Sequence, residues 1–182
     1  MTSEWEVLIS AETLRQRVQE LGDAISRDYA DREPLLLGIL RGAWIFLADL
    51  VRCISVPTRC DFMGVSSYGP STESQGLVRI TSDLSEPVTG QDLIVVEDIV
   101  DTGLTIDYLL RNLSARRPRS LKICTLLNKP ERRRVEIPLD YVGFNIPNYF
   151  VVGCGLDYNQ RYRELPFIAA LSSSSAAAGL PG

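Results

Sequence analysis

Two hydrophobic periods alternate along the chain. Leu14, Val18, Leu21, Ile25 and Tyr29 recur three or four residues apart, which places them on one face of a helix from Ser10 to about Tyr29. Ser10 is positioned to cap that helix, and Glu12 suits the positive end of its dipole. Leu35 to Leu40 contains no polar side chain, the pattern of a strand buried on both faces. Arg41-Gly42 interrupts the run, and Ala43 to about Ile54 reads as a second helix. Thr58 to Val65 predicts another strand, Ser66 to Gln75 a polar, mobile loop around Gly69-Pro70, and Leu77 to Thr81 a short returning strand. Leu93 to Val96 repeats the buried pattern, followed by an acidic turn and a helix from about Thr105 to Ala115. Leu121 to Leu127 is a third core strand, with shorter candidates at Tyr141 to Phe144 and Phe150 to Val152. Strands alternating with helices predict an α/β fold, a mainly parallel twisted sheet flanked by helices.

The 182 residues leave room for one domain, and residues 172–182, rich in Ser and Ala, read as a disordered tail. No apolar stretch approaches the roughly 20 residues of a membrane helix, and the acidic N-terminus lacks the pattern of a signal peptide. The net charge of −4 argues against a broad grip on nucleic acid. Arg132-Arg133-Arg134 is a local basic run, read as a solvated loop. Cys53, Cys60, Cys124 and Cys154 are far apart in apolar segments, which predicts buried free thiols and a reducing cytoplasm. There is no histidine, so Ser-His-Asp and Cys-His catalysis and His-based zinc chemistry are excluded together. Catalysis must then use carboxylates, Lys, Arg, backbone dipoles or a hard metal ion.

The segment that narrows the chemistry is Glu97-Asp98-Ile99-Val100-Asp101-Thr102-Gly103-Leu104-Thr105, which follows a buried strand and opens a helix. Ligands of open α/β sheets gather at the carboxyl ends of strands. Asp101 to Thr105 would bring backbone N–H groups, two hydroxyls and a conformationally free glycine to a helix N-terminus, a cradle for a phosphate monoester. Glu97 and Asp98 would repel a bare anion, but not a sugar phosphate whose hydroxyls they accept, nor one bridged by magnesium. Any one of these acids alone would read as a helix cap.

This string resembles the phosphoribosyl pyrophosphate signature of the type I phosphoribosyltransferases. Further segments, covering the chain to about Leu171, resemble the hypoxanthine-guanine branch. The resemblance implies that Glu97 and Asp98 hold the ribose hydroxyls, that Asp101, Thr102, Gly103, Leu104 and Thr105 bind the 5-phosphate, and that Asp101 is the general base at the purine N7. Leu104 departs from members that carry lysine there. Leu40-Arg41-Gly42 resembles the pyrophosphate loop, often with a cis peptide between the first two residues, and Arg163 an arginine on the same group. Ser67-Tyr68 resembles the lid that excludes water from the reacting centre. Lys129 resembles the lysine on the purine O6. Phe150 would stack on the base, Val151 would offer backbone groups to its edge, and Asp157 would contact the metal with its backbone near the base.

The expected reaction joins a 6-oxopurine to phosphoribosyl pyrophosphate with Mg²⁺, in a cytoplasmic homo-oligomer, dimer or tetramer. Glu97, Asp98 and Asp157 would be the metal-side acids, and a small hood would form from N-terminal and late C-terminal segments. A transferase for xanthine or another base, or a nucleotide-sensing regulator on the same fold, are the competing readings. The regulator would be expected to carry a basic face or an added DNA-binding segment, and this chain has neither.

Overall fold

The computed structural model describes residues 5–67 and 78–171. Among these, six strands form the main sheet: β2 (Leu35–Leu40), β3 (Arg59–Ser67), β4 (Val78–Ser82), β5 (Asp92–Val100), β6 (Ser120–Asn128) and β7 (Tyr141–Asn145). Their spatial order is β4-β3-β2-β5-β6-β7, parallel throughout except for β4 at one edge. The fold is α/β with a mostly parallel sheet, as the hydrophobic pattern predicts.

Both faces of the central strands are covered because the middle residues of β2 and β5 are apolar on either side. Leu36, Ile94, Val96, Cys124 and Leu126 pack with the apolar faces of α1 (Ala11–Asp28) and α2 (Trp44–Arg52). Leu35, Leu37, Leu93, Val95 and Ile123 pack on the other face with Ile106, Leu109 and Leu113 of α3 (Leu104–Ser114). Residues that alternate along one strand thus serve two separate cores. The cap on α1 is the expected one, with Ser10 Oγ accepting the Thr13 N–H at 3.1 Å.

A second sheet joins β1 (Trp5–Ile9), β9 (Ile168–Leu171) and β8 (Val151–Val152), in the order β1-β9-β8. It draws on both ends of the described chain.

Two strands run further than their hydrophobic cores suggest. β5 continues through the acidic residues to Val100, because its ladder with β6 persists to the pair Val100↔Asn128. The predicted acidic turn is therefore strand as far as Val100. Likewise β3 continues through Ser66 and Ser67, which pair with Arg79 and Val78 of β4. Tyr68 and the rest of the predicted loop, and residues 172–182, lie outside the described residues. The four thiols are free, but Cys60 is exposed and Cys53 half-buried, so only Cys124 and Cys154 meet the buried reading.

Candidate active site

From β2 the chain moves outward to β3, and from β5 it moves the other way to β6. The order reverses between β2 and β5, so a crevice opens beyond their carboxyl ends. The loop Leu40-Arg41-Gly42 leaves β2 there, and its Leu40–Arg41 peptide is cis. Beside it stands Asp98. A Cβ on Gly42 would fall 1.6 Å from Asp98 Oδ2, so only glycine lets the loop lie against that carboxylate.

Glu97 and Asp98 are neighbours on one strand and therefore face opposite sides of the sheet. Glu97 is buried, and its Oε2 has no hydrogen-bond partner. Burial, and then the charge of Asp98, push its carboxyl well above the usual range. Asp98 is raised to about 6, mainly by burial. The Ile99 N–H, donated to its Oδ1 at 2.8 Å, pulls the other way. Two acids are thus held in a desolvated setting that a ligand with hydroxyls or a cation would relieve.

After Val100 the chain turns into α3 through Asp101-Thr102-Gly103. Gly103 has φ 85 and supplies no side-chain cap, and Thr102 Oγ1 reaches the Leu104 N–H at 3.4 Å. A recess of about 80 Å³ lies here, lined by Glu97, Asp101, Thr102, Gly103 and Thr105 among others. A larger cleft of about 390 Å³, between α1, α2 and Glu164–Pro166, is lined mostly by apolar side chains and shares none of these residues.

Lys129 follows β6 and is buried, with Nζ 3.9 Å from Asp101 Oδ2. Burial lowers its pKa, and the carboxylate of Asp101 partly offsets this. Arg132 donates from Nε to Asp101 Oδ1 at 2.7 Å. Arg133 folds under the cradle, donating to Asn128 Oδ1, and Asn128 donates in turn to Asn145 at 2.7 Å. Arg132 and Arg134 are exposed, as a solvated loop would be, but Arg132 and Arg133 are also tied to neighbouring strand ends. The sequence alone reads this run as a solvated loop, and its partners appear once β5 and β6 are paired.

The last group comes from residues 150–163. Phe150 is half exposed, its ring edge-on to Tyr158 at 5.6 Å between centroids, while Val151 is buried in β8. Asp157 pairs with Arg163 at 2.7 Å. Both belong to the same cluster as the β2 loop, because Gln160 bonds Arg41 and Arg163 alike. The structure brings Arg41, Gly42, Asp98, Asp157 and Arg163 together on one side of the crevice. Asp101, Thr102, Gly103, Thr105 and Lys129 gather on the other. Leu40 and Leu104 contribute backbone at the two turns, and Ser67 ends β3. Among the described residues, no three carboxylate or thiolate groups cluster closely enough to hold a metal ion unaided.

A mostly parallel sheet whose acidic strand end leads through a glycine turn to a helix N-terminus is a setting that suits a phosphorylated ligand. The phosphoribosyl transferase domain family matches residues 5–159. The hypoxanthine-guanine phosphoribosyltransferase of Mycobacterium avium is 52% identical over 171 residues, covering 91% of this chain and 84% of the relative. That of Bacillus subtilis is 49% identical over 166 residues, covering 91% and 92%. The crystal structure of a Bacillus anthracis hypoxanthine-guanine phosphoribosyltransferase superposes with a TM-score of 0.88 at 45% identity, covering 92% of this chain and 98% of the other. The chain belongs to the phosphoribosyl transferase family, and within it to the hypoxanthine-guanine phosphoribosyltransferases. It is an enzyme of purine salvage.

Proposed function

We propose that this enzyme converts hypoxanthine, and guanine, with phosphoribosyl pyrophosphate into the corresponding nucleoside monophosphate and pyrophosphate. The observation that carries the reading is the pairing of Asp101 with buried Lys129, 3.9 Å apart, at the mouth of the phosphate cradle. On a 6-oxopurine N7 and O6 lie on one edge, so an acceptor beside a cation matches them together. A cation is a poor partner for the amino group of adenine.

In this reading the 5-phosphate sits on the backbone and hydroxyls of Asp101 to Thr105, where the dipole of α3 favours an anion. Glu97 and Asp98 accept hydrogen bonds from the ribose hydroxyls. Arg41, Gly42 and Arg163 hold the pyrophosphate, and Phe150 stacks on the base while Val151 meets its edge through backbone. The purine N9 attacks C1 as the C1–O bond to pyrophosphate breaks, with inversion. Asp101 takes the N7 proton, and Lys129 donates to O6. Excluding water from C1 as positive charge develops is the role that the resemblance gives Ser67 and Tyr68, the latter outside the described residues.

The acids suit magnesium. Glu97 has an unpartnered buried oxygen, and Asp98 and Asp157 offer further hard oxygen donors on the pyrophosphate side. Bound there, the ion would neutralise charge on the leaving group. With no three-acid cluster among the described residues, ribose and pyrophosphate oxygens would complete its shell. We further read residues 1–171 as one domain whose three-stranded sheet forms the hood, and the enzyme as a cytoplasmic homo-oligomer, dimer or tetramer, without a nucleic-acid partner.

The test is nucleotide formation from phosphoribosyl pyrophosphate and Mg²⁺ with hypoxanthine, guanine, xanthine, adenine and uracil offered separately. Turnover of hypoxanthine or guanine that chelation abolishes is expected. Preference for adenine or uracil would overturn the base assignment, and full activity after chelation the metal.

A further inference from the structure

The cluster that joins the β2 loop to residues 157–163 is organised around one residue outside the family signature, Gln160. Its side-chain oxygen accepts from Arg41 Nη1 at 3.1 Å and from Arg163 Nη2 at 3.3 Å. Its backbone N–H donates to Asp157 Oδ2 at 2.8 Å. Arg163 is fixed from two more sides, by the Gly155 carbonyl at 2.6 Å and by Asp157 Oδ1 at 2.7 Å. Arg41 has Gln160 as its hydrogen-bond partner, and its side chain is otherwise exposed at the rim of the crevice.

Two guanidinium groups brought side by side repel, and long exposed side chains spread over many rotamers. An acceptor shared between them offsets part of both costs and holds the two side chains in one arrangement. Gln160 occupies this place with φ 63, a left-handed backbone that glutamine adopts less readily than glycine or asparagine. That conformation lets the backbone amide reach Asp157 while the side chain turns to the arginines.

We propose that Gln160 is a positioning residue for the leaving pyrophosphate, holding Arg41 and Arg163 as a preformed pair beside Asp157. The inference rests on the assignment of those arginines to pyrophosphate. It predicts that Gln160 governs affinity for the diphosphate and leaves base recognition alone, since Lys129 and Phe150 are held by other elements.

The experiment compares Gln160→Leu, Gln160→Glu and Arg41→Met with the wild-type enzyme, measuring KM for each substrate, kcat and product inhibition by pyrophosphate. In Gln160→Leu, the phosphoribosyl pyrophosphate KM and the pyrophosphate inhibition constant should rise in parallel, by about fivefold to tenfold. The hypoxanthine KM should stay within about twofold. Gln160→Glu retains an acceptor of the same reach and should restore most of the loss. An inhibition constant unchanged in Gln160→Leu, with Arg41→Met weakening pyrophosphate, would remove the positioning role alone. If Arg41→Met also leaves pyrophosphate binding unchanged, the arginine assignment itself falls. A uniform loss in both substrates, unrescued by Gln160→Glu, would mark Gln160 as merely structural.

Discussion

Asp98 and Gly42 set the tightest tolerance in the crevice. Any Cβ on Gly42 would overlap the Asp98 carboxylate, so Gly42→Ala has to push that acid or the loop away. Turnover should fall about 100-fold or more while the fold survives, because a 1 Å displacement of a positioned group has that effect. Steady-state kinetics with a thermal melt would check both halves, and near-normal kcat would mean that the contact is dispensable. Lys129 makes a pH-dependent prediction. In the proposed role it donates to the purine carbonyl, strongly as an ammonium and weakly as a neutral amine, and burial sets its pKa below that of a free lysine. The hypoxanthine KM should therefore climb on the alkaline side starting below pH 10.5, the ordinary lysine value. Lys129→Arg should move that limb upward, since arginine stays charged. A limb that does not move belongs to the base, not to the enzyme. Single residues of this kind were readable in the sequence because each sits at a strand end inside a distinctive string. Gln160, Arg132 and Arg133 were not, because their partners lie on other strands or loops and meet them only in the folded chain.

Elements were legible in proportion to their burial. Leu35–Leu40 and the stripe of α1 announce themselves, since a continuous apolar run and a period near 3.6 have few competing explanations. β1 and β9 carry no such mark: β1 is half exposed and is held by pairing across most of the chain length. The ends of β5 and β3 were underestimated because ladder hydrogen bonds, not side chains, extend them. One tie between elements is testable. Tyr141, at the start of β7, donates to Asp28 at the end of α1 at 2.5 Å, with Lys122 of β6 nearby at 3.4 Å. The Tyr141 hydroxyl is the largest cause holding the Asp28 carboxyl below its ordinary value of 3.8, followed among the lowering influences by Lys122. A carboxyl with a lowered folded-state pKa stabilises above its unfolded value and loses that contribution as pH falls through the folded one. Tyr141→Phe should therefore cost about 1 kcal/mol at neutral pH, discounted because Asp28 is largely exposed. The difference from wild type should shrink below about pH 4. Urea denaturation at pH 7 and pH 3 would measure it, and an equal loss at both would assign the effect to packing instead.

The molecule as a whole is polarised along β5. At the amino end of that strand, buried Asp92 accepts from Ser120 Oγ at 2.6 Å and from Arg32 and Arg119 at 3.3 Å each. At the carboxyl end, Glu97 is also buried but has an oxygen with no partner and an acid for a neighbour. One end spends its buried charge on stability, and the other leaves it uncompensated for a ligand to complete. Opposite responses to the same kind of change follow. Asp92→Asn should lower stability by about 2 kcal/mol, moderated by the exposure of both arginines, and leave kcat near wild type. Glu97→Gln keeps the shape but removes an acid whose ionisation burial opposes, so the ligand-free enzyme should melt a few degrees higher. Its turnover should drop by about 100-fold, because the ribose hydroxyls lose a charged acceptor. Phosphoribosyl pyrophosphate with Mg²⁺ should also raise the melting temperature of wild type more than that of Glu97→Gln, since the ligand satisfies a buried acid the variant lacks. Calorimetry with and without the donor, beside kcat for each variant, decides the matter. If Glu97→Gln melts below wild type without ligand, the carboxyl end of the sheet is stabilised by that acid, and the division of β5 into a structural and a ligand-completed half is wrong.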